Sequence, residues 1–299
     1  MGPARLVPLL VCLGCADPGP AGPPEPDGPV ELRLEDGALV ARGTLASGLP
    51  EGPWTAFHLD GGRAEEGRLA AGLREGTWRR WDPAGVLLQE GTYAAGEREG
   101  TWREWRPDGS LLAETTYAAG LATGPHVLYH PDGGRAEEGT YEGGVKQGVW
   151  TSWSETGERV AERAHRDGRL HGTLRTWYPG GGPQLQREYR DGLPEGEWLR
   201  WHPTGGVHER SRYRAGELHG LQEFSDPAGR RLLEVRWEGG RREGIAREWW
   251  PDGSPRSEGA FRDDERHGPW TFRTAAGELD GRRSGLYEDG ERVAPLSPD

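Results

Sequence analysis

Apolar and polar residues alternate in short runs along this chain, and glycine or proline interrupts each run after about six residues. The run at 100–105, GTWREW, is representative. Alternation of this kind, rich in aromatic residues, is typical of half-buried β-strands. Glycine and proline at this density leave no stretch long enough for a stable helix. The pattern predicts short strands joined by tight turns.

The strand pattern repeats with a period of 24 residues, which is the mark of a repeat architecture. Most of the 14 tryptophans fall into two columns, two and five residues after a recurring glycine. That glycine occupies Gly52, Gly76, Gly100, Gly124, Gly148, Gly172, Gly196, Gly220, Gly244 and Gly268. The candidate binding or structural aromatics are Trp54, Trp78, Trp81, Trp102, Trp105, Trp150, Trp153, Trp198, Trp201 and Trp270.

Each repeat contains two turns. Residues 82–85 (DPAG) place proline and glycine where a type I turn accepts them, and residues 95–100 (AGEREG) form a second glycine-rich connection. The sequence therefore predicts an all-β fold, an elongated, solenoid-like antiparallel meander of ten 24-residue β-hairpin repeats forming a single twisted sheet. We assign 30–289 to this domain, with a degenerate cap at 28–47 and ten units at 48–287. A C-terminal tail follows at 290–299.

The two aromatic columns are predicted to lie on opposite faces, because side chains alternate along a strand. A turn centred on residues 83–84 places Trp78 opposite Gln89, in a ladder of tryptophan and tyrosine with glycines leaving room for the rings. We expect this ladder to be structural; the alternative is a set of stacking platforms. The second face carries a column of glutamates balanced by arginines: Glu66, Glu90, Glu114, Glu138, Glu162, Glu234 and Glu258.

Some units depart from the repeat. His126, Leu174, Gln222 and Ala246 stand in the first aromatic column, and Ser225 and Arg273 in the second. We expect drift of the repeat rather than a binding notch at these positions.

Composition narrows the choice of partners. The chain has 50 glycines, 24 prolines and a net charge of −12. An acidic surface without basic runs disfavours nucleic acid and anionic lipid as partners. Both cysteines lie within the first fifteen residues, so the repeat domain has no disulfide and no cysteine metal ligand.

The amino terminus has the features of an export signal. Residues 1–14 contain one basic residue and a short apolar core, too short to span a bilayer. Cys15 follows Gly14 and resembles the lipidated cysteine of bacterial lipoproteins, although Cys12 replaces the usual leucine. An ordinary cleaved signal is the alternative. Residues 15–29 then form a proline- and glycine-rich tether. We expect a protein anchored by lipid in the bacterial cell envelope, at the outer membrane or the periplasmic face.

No catalytic motif is found in the sequence, so we predict a non-enzymatic protein with no cofactor and no metal. His171, His219 and His267 share a column but lie two units apart, too far for one metal ion. His202 and His208 flank one turn and are expected to meet across the hairpin, which is weak support for a metal site.

The repeat, G-x-W-x-x-W followed by E-G-x-Y-x-x-G, resembles the MORN repeat and in particular its bacterial variant, found in YwqK-like antitoxin proteins. The resemblance covers residues 48–277. It implies an array of β-hairpins that acts as a scaffold for proteins.

We therefore expect a scaffold for protein–protein interaction that resembles antitoxin or immunity proteins, with an unknown protein partner such as a toxin. The alternative is a module that binds cell-wall glycan through exposed aromatic platforms. A membrane would be contacted only through the lipid anchor, and face-to-face pairing of two copies is a further alternative.

Overall fold

The computed structural model describes residues 27–296, and every regular element in that range is a β-strand. The described residues divide into two compact units: 27–87 together with 92–97, and 88–91 together with 98–296. The predicted signal peptide (1–14), Cys15 and most of the tether lie outside the described residues. The described residues contain no helix of the length and hydropathy needed to cross a membrane.

The first unit is an antiparallel meander in which strands pair in chain order, and Leu39–Ala46 pairs with both Leu49–Pro50 and Gly52–Phe57. Its strands are β1 (Gly28–Arg33), β2 (Leu39–Ala46), β3 (Leu49–Pro50), β4 (Gly52–Phe57), β5 (Arg63–Ala70) and β6 (Leu73–Trp81). Strands β7 (Leu87–Ala94) and β8 (Glu97–Trp105) each contribute residues to both units.

The second unit continues the same meander order, with antiparallel pairing throughout. Its further strands are β9 (Leu111–Ala118), β10 (Leu121–Tyr129), β11 (Arg135–Glu142), β12 (Val145–Trp153), β13 (Arg159–Arg166), β14 (Arg169–Trp177), β15 (Pro183–Arg190), β16 (Leu193–Trp201), β17 (Val207–Arg214), β18 (Glu217–Leu218), β19 (Gly220–Ser225), β20 (Arg231–Glu238), β21 (Arg241–Trp249), β22 (Pro255–Arg262), β23 (Glu265–Phe272), β24 (Gly285–Glu288) and β25 (Glu291–Ala294). The predicted all-β hairpin meander is confirmed.

Both predicted turns form. Gly85 donates its N–H to the Asp82 carbonyl at 3.0 Å and has a φ of 84°, the left-handed conformation that favours glycine. In the second turn Ala95 and Gly96 both have positive φ, as in the type I′ turns of hairpins. Glu75 accepts the Ala95 N–H at 2.9 Å, so this turn is fixed by a side chain of the adjacent hairpin, as are the turns at Ala71, Ala119 and Ala215.

The register within each hairpin differs from the prediction. The prediction placed Trp78 opposite Gln89, and therefore every first-column tryptophan opposite the residue eleven places later. In the structure Trp54 pairs with Gly67, which is thirteen places later. One reason is a bulge: Phe57 pairs with Arg63 and Ala56 with Glu65, which leaves Ala64 without a partner. The bulge accounts for one of the two residues, and the other lies in the connection, where the His58 N–H bonds to the Gly62 carbonyl at 2.8 Å. Because the total shift is two residues, the predicted faces are not exchanged.

The C-terminal end also differs from the prediction. Residues 291–294, assigned to the tail, form strand β25 and pair with β24. Tyr287 lies two positions later than the repeat requires, yet it pairs with Gly268 and is buried, as the tyrosines of earlier units pair with their glycines. A longer connection absorbs the two residues, and there the Ser284 hydroxyl accepts the N–H of Phe272 at 2.9 Å.

Candidate functional site

The first aromatic column forms the core of one sheet face, which we call the tryptophan face. Each regular tryptophan lies over the glycine eleven residues earlier, on the preceding strand. A Cβ added to Gly139 would lie 2.2 Å from the Trp150 ring, so only glycine fits beneath the indole. The five pairs are Gly43 with Trp54, Gly67 with Trp78, Gly91 with Trp102, Gly139 with Trp150, and Gly259 with Trp270. All five indoles are at most 4 % exposed.

A cation covers the outer side of four of these five rings; at Trp54 the corresponding residue is Pro50. In the first unit the Arg74 guanidinium lies 4.3 Å from the Trp78 ring and forms an ion pair of 2.7 Å with Glu65. In the second unit Lys146 Nζ lies 3.7 Å from the Trp150 ring and 2.8 Å from Glu137. Burial raises the pKa of Glu65, against the lowering effect of Arg74. These layers of glycine, indole, cation and carboxylate make the tryptophan face a closed structure.

Tyrosines and histidines fill the gaps between the indoles. Tyr141 meets Trp150 edge to face at 4.9 Å, and His126 lies 5.6 Å from the same ring. His165 borders Trp150 on its other side at 6.5 Å. Burial lowers the pKa of both His126 and His165, so the neutral imidazole is the favoured form of each. The predicted ladder of tryptophan and tyrosine is therefore seen as ring contacts in the repeats that contain both residues.

Units that lack the tryptophan also lack the glycine beneath it. The residue eleven places earlier is Thr115 for His126, Arg163 for Leu174, Ser211 for Gln222 and Val235 for Ala246. One unit breaks the rule: Arg187 precedes Trp198, the ring lies 4.3 Å from the Arg187 guanidinium, and the indole is only partly buried. A side chain in the glycine position therefore keeps the ring from settling onto the sheet.

A half-open cavity of about 540 Å³ lies beside Ala246 on the tryptophan face. Val235 and Ala246, each 5 % exposed, lie beside it, and Trp237, Phe261 and Trp270 form its aromatic walls. The adjacent replacement, Gln222, is held by other groups: its side chain accepts the Trp237 indole N–H at 3.0 Å and donates to the Ser211 hydroxyl at 3.1 Å. This volume lies within the range of about 300–1,000 Å³ that ligand pockets have.

The second face carries the predicted charges. Arg103 donates to Glu114 at 2.7 Å, and this bond is the main reason that the pKa of Glu114 lies below its ordinary value. Arg63 forms an ion pair with Glu66 at 2.9 Å and lies 5.0 Å from the Trp81 ring. The second-column tryptophans are half-buried: Trp81, Trp105, Trp153 and Trp201. None of the ten candidate aromatics is in the exposed class, which exposed glycan platforms would require.

The histidines take structural positions. His171 Nδ1 accepts the N–H of Asp191 at 3.3 Å, so it caps a turn as Glu75 does. His202 and His208 do meet, at 3.1 Å between ring nitrogens, and both lie within 3.2 Å of the Ser225 carbonyl. Within residues 27–296, no cluster of three or more histidine, cysteine or acidic side chains has the geometry to hold a metal.

Sequence reasoning identified the aromatic columns but missed the role of the glycine eleven residues before each tryptophan. It also missed the cation four residues before the tryptophan, at Arg74, Lys146 and Arg266. Both offsets are visible in the sequence once one unit is aligned on its tryptophan rather than on its turn. The sequence does not show which replacement of a tryptophan is accompanied by a cavity, because this depends on the neighbouring side chains at Gln222 and at Ala246.

Comparisons with solved structures give only weak likenesses. The crystal structure of TcdB2-TccC3-Cdc42 is 10% identical over 83% of this chain and 15% of that one, with a TM-score of 0.18. A Tc holotoxin pore of Photorhabdus luminescens is 11% identical over 88% of this chain and 19% of that one, with a TM-score of 0.21. This chain thus spans less than a fifth of either, and scores this low carry no argument. No curated protein matches the sequence.

The comparison with protein families is specific. Residues 74–95 and 98–119 match the family model of the MORN repeat variant. These two segments follow each other at the 24-residue period, and each contains a strand, a turn and the glycine that precedes a first-column tryptophan. The further units have the same spacing of turns and the same glycine positions. Residues 74–119 are therefore two consecutive MORN-variant repeats, and the chain is a β-hairpin repeat scaffold.

Proposed function

We propose that this scaffold binds a protein partner through exposed aliphatic side chains at the edge where the Ala95-type turns lie. Leu121, Val145 and Leu193 are the first residues of β10, β12 and β16 and are 43 to 55 % exposed. They occupy one column of the repeat, as do Leu49 and Leu73 in the first unit. The other five positions of this column are charged: Glu97, Arg169, Glu217, Arg241 and Glu265. Exposed apolar side chains that cluster along one edge are characteristic of interaction surfaces. This row is the observation that carries the proposal.

The partner is proposed to be met in the bacterial envelope. Cys15 would carry the lipid anchor, and residues 16–29 would hold the repeats away from the membrane. Labelled palmitate should enter the wild-type protein and not Cys15→Ala; equal incorporation would refute the anchor. A neighbouring reading frame for an envelope-acting toxin would support an immunity role, and its absence would count against that role.

A capture experiment tests the aliphatic row. The bait is the lipid-free chain beginning at residue 16, compared with Leu121→Ser, Val145→Ser and Leu193→Ser combined. The matched control combines Val149→Ser, Leu221→Ser and Ile245→Ser, which remove equally exposed aliphatic residues from another column. We expect mass spectrometry to find one partner enriched by wild type and control, and at least about tenfold less by the row variant. Equal enrichment by all three would overturn the proposal.

The glycan alternative keeps a direct test of its own. Because the ten candidate rings are buried or half-buried, we expect a sugar array to give no binding above that of a variant with Trp201→Ala. Binding that depends on the second-column tryptophans would favour the glycan function over the protein scaffold.

A further inference from the structure

The cavity beside Ala246 differs from the rest of the tryptophan face in its charge as well as its shape. In two regular repeats the cation over the indole has a carboxylate nine residues earlier, Glu65 for Arg74 and Glu137 for Lys146. In a third, Arg98 over Trp102, that position is Gln89. For Arg266 this position is Ser257, which is 6 % exposed and lines the cavity. The repeat therefore supplies a cation at the cavity and omits its acidic partner.

The other charges around the cavity are balanced. Asp264 pairs with Arg242 at 3.1 Å, and Glu248 pairs with Arg256 at 3.6 Å. Arg266 and Arg283 have no carboxylate within ion-pair distance among residues 27–296. Both guanidinium groups lie against the Phe272 ring, at 5.1 and 4.2 Å. The cavity thus presents an apolar space with two uncompensated arginines at one side.

We propose that this cavity binds an aromatic side chain of a partner protein that is flanked by acidic residues. The ring lies between Trp237, Phe261 and Trp270, beside the covered side chains of Val235 and Ala246. A carboxylate next to the ring takes the place of the missing glutamate and bonds to Arg266 and Arg283. Bidentate arginine–carboxylate bonds fix the orientation of such a segment, and ring contacts supply the buried apolar area.

This inference deepens the proposed function and rests on it, because the occupant is taken to be a protein segment. Two observations point to an acidic aromatic segment in place of an apolar small molecule. Arg266 and Arg283, which have no ion pair among residues 27–296, line the cavity, and its apolar walls continue into the ring contacts of Trp270 with Phe261 and Phe272. A neutral apolar ligand would leave both guanidinium groups uncompensated.

The test uses two capped synthetic peptides with the sequences Gly-Asp-Trp-Asp-Gly and Gly-Asn-Trp-Asn-Gly. Isothermal titration against the full chain should give at least about tenfold tighter binding of the acidic peptide. Arg266→Gln should reduce this preference to about twofold or less. Arg175→Gln, an arginine on the second face that contacts Gln186, is the matched control and should behave as wild type.

A second variant fills the cavity from within. Val235→Gly combined with Ala246→Trp restores the glycine and indole pair of a regular unit and should abolish binding of both peptides. Ala246→Leu, a smaller filling, should weaken binding if the double variant melts early by circular dichroism. Equal affinity of the two peptides for wild type, no binding at millimolar peptide, or unchanged binding to the filled variants would overturn the proposal.

The capture experiment separates this inference from the scaffold function. A filled-cavity bait that still enriches the partner found with wild type would reject the cavity and leave the scaffold in place. A wild-type bait that enriches no partner dependent on the aliphatic row would reject the scaffold, whatever the peptides show.

Discussion

Two parts of the second unit, around Trp150 and around Ala246, have the same backbone arrangement and opposite packing. Trp150 is fully buried over Gly139, with Lys146 and Glu137 closing the outer side. At Ala246 the residue beneath is Val235, the indole is absent, and a cavity of about 540 Å³ lies alongside. Hairpin geometry therefore does not depend on the tryptophan, because the turns and strand pairing are retained without it.

This difference separates two properties of the repeat. Glycine-specified turns and backbone hydrogen bonds define the hairpin, while the glycine and tryptophan pair supplies most of the buried apolar surface in a thin sheet. A repeat can lose the glycine and tryptophan pair and still form its hairpin, and its tryptophan face then becomes available to another molecule. Trp198 represents an intermediate case, since its ring is present and Arg187 occupies the glycine position.

Removing the buried ring of Trp150 should have the largest effect on stability. Trp150→Ala should lower the free energy of unfolding by about 3–5 kcal/mol, the usual cost of truncating a large buried aromatic side chain. Trp198→Ala should cost clearly less, because its indole is only partly buried. Urea denaturation followed by circular dichroism measures both. Equal losses would mean that the glycine beneath the ring does not determine how much the indole contributes.

A smaller substitution tests whether glycine is required beneath the Trp150 ring. Gly139→Ala places a Cβ 2.2 Å from the Trp150 ring, so we expect a loss of about 1–3 kcal/mol from overpacking. With Trp150→Ala already present, the same change should cost nothing or stabilise slightly, because alanine suits a strand better than glycine. Gly182→Ala, where nothing lies within 4 Å, is the control. Additive effects of the two substitutions would contradict the pairing.

These packing relations show what the sequence could and could not predict. The 24-residue period predicted the strands, both turns and the two faces, because each depends on local turn chemistry and alternation. The ion pairs of Glu66 and Glu114 followed from the same alternation. The register did not follow, since the bulge at Ala64 adds a residue that no propensity identifies.

The sequence predicted only part of the candidate site. Gln222 and Ala246 were recognised as departures and taken as drift of the repeat. In the structure Gln222 is bound by Trp237 and Ser211, whereas Ala246 is covered by its apolar neighbours and borders the cavity. Whether a lost ring leaves a cavity depends on the neighbouring side chains and their rotamers, and a column of residue letters does not contain that information.

The cation over the ring gives a smaller effect. Lys146→Met retains the aliphatic cover of Trp150 but removes the charge, while Glu137 keeps the Ser152 hydroxyl at 3.3 Å and Arg163 at 4.0 Å. We expect a loss of about 1 kcal/mol, typical of a partly desolvated cation–π contact. Combining it with Glu137→Gln should recover part of that loss in the same denaturation experiment. No recovery would show that Lys146 acts on the ring alone.

The last expected difference between regions depends on pH. Burial lowers the pKa of His126 and His165 beside Trp150, with Lys146 adding to the effect and Glu137 opposing it. The unfolded chain, with histidine pKa values near about 6.5, therefore binds more protons than the folded one as pH falls through and below that value. Stability of this region should be independent of pH above 7 and should decrease as pH falls below about 6.5.

His126→Gln should reduce that decrease, while His219→Gln, a histidine away from Trp150, should not. Hydrogen exchange of amides in β10 to β13 at several pH values, extrapolated to the same chemical exchange rate, measures the effect. An unchanged slope in His126→Gln would show that this imidazole keeps its ordinary pKa and that burial beside Trp150 does not extend to it.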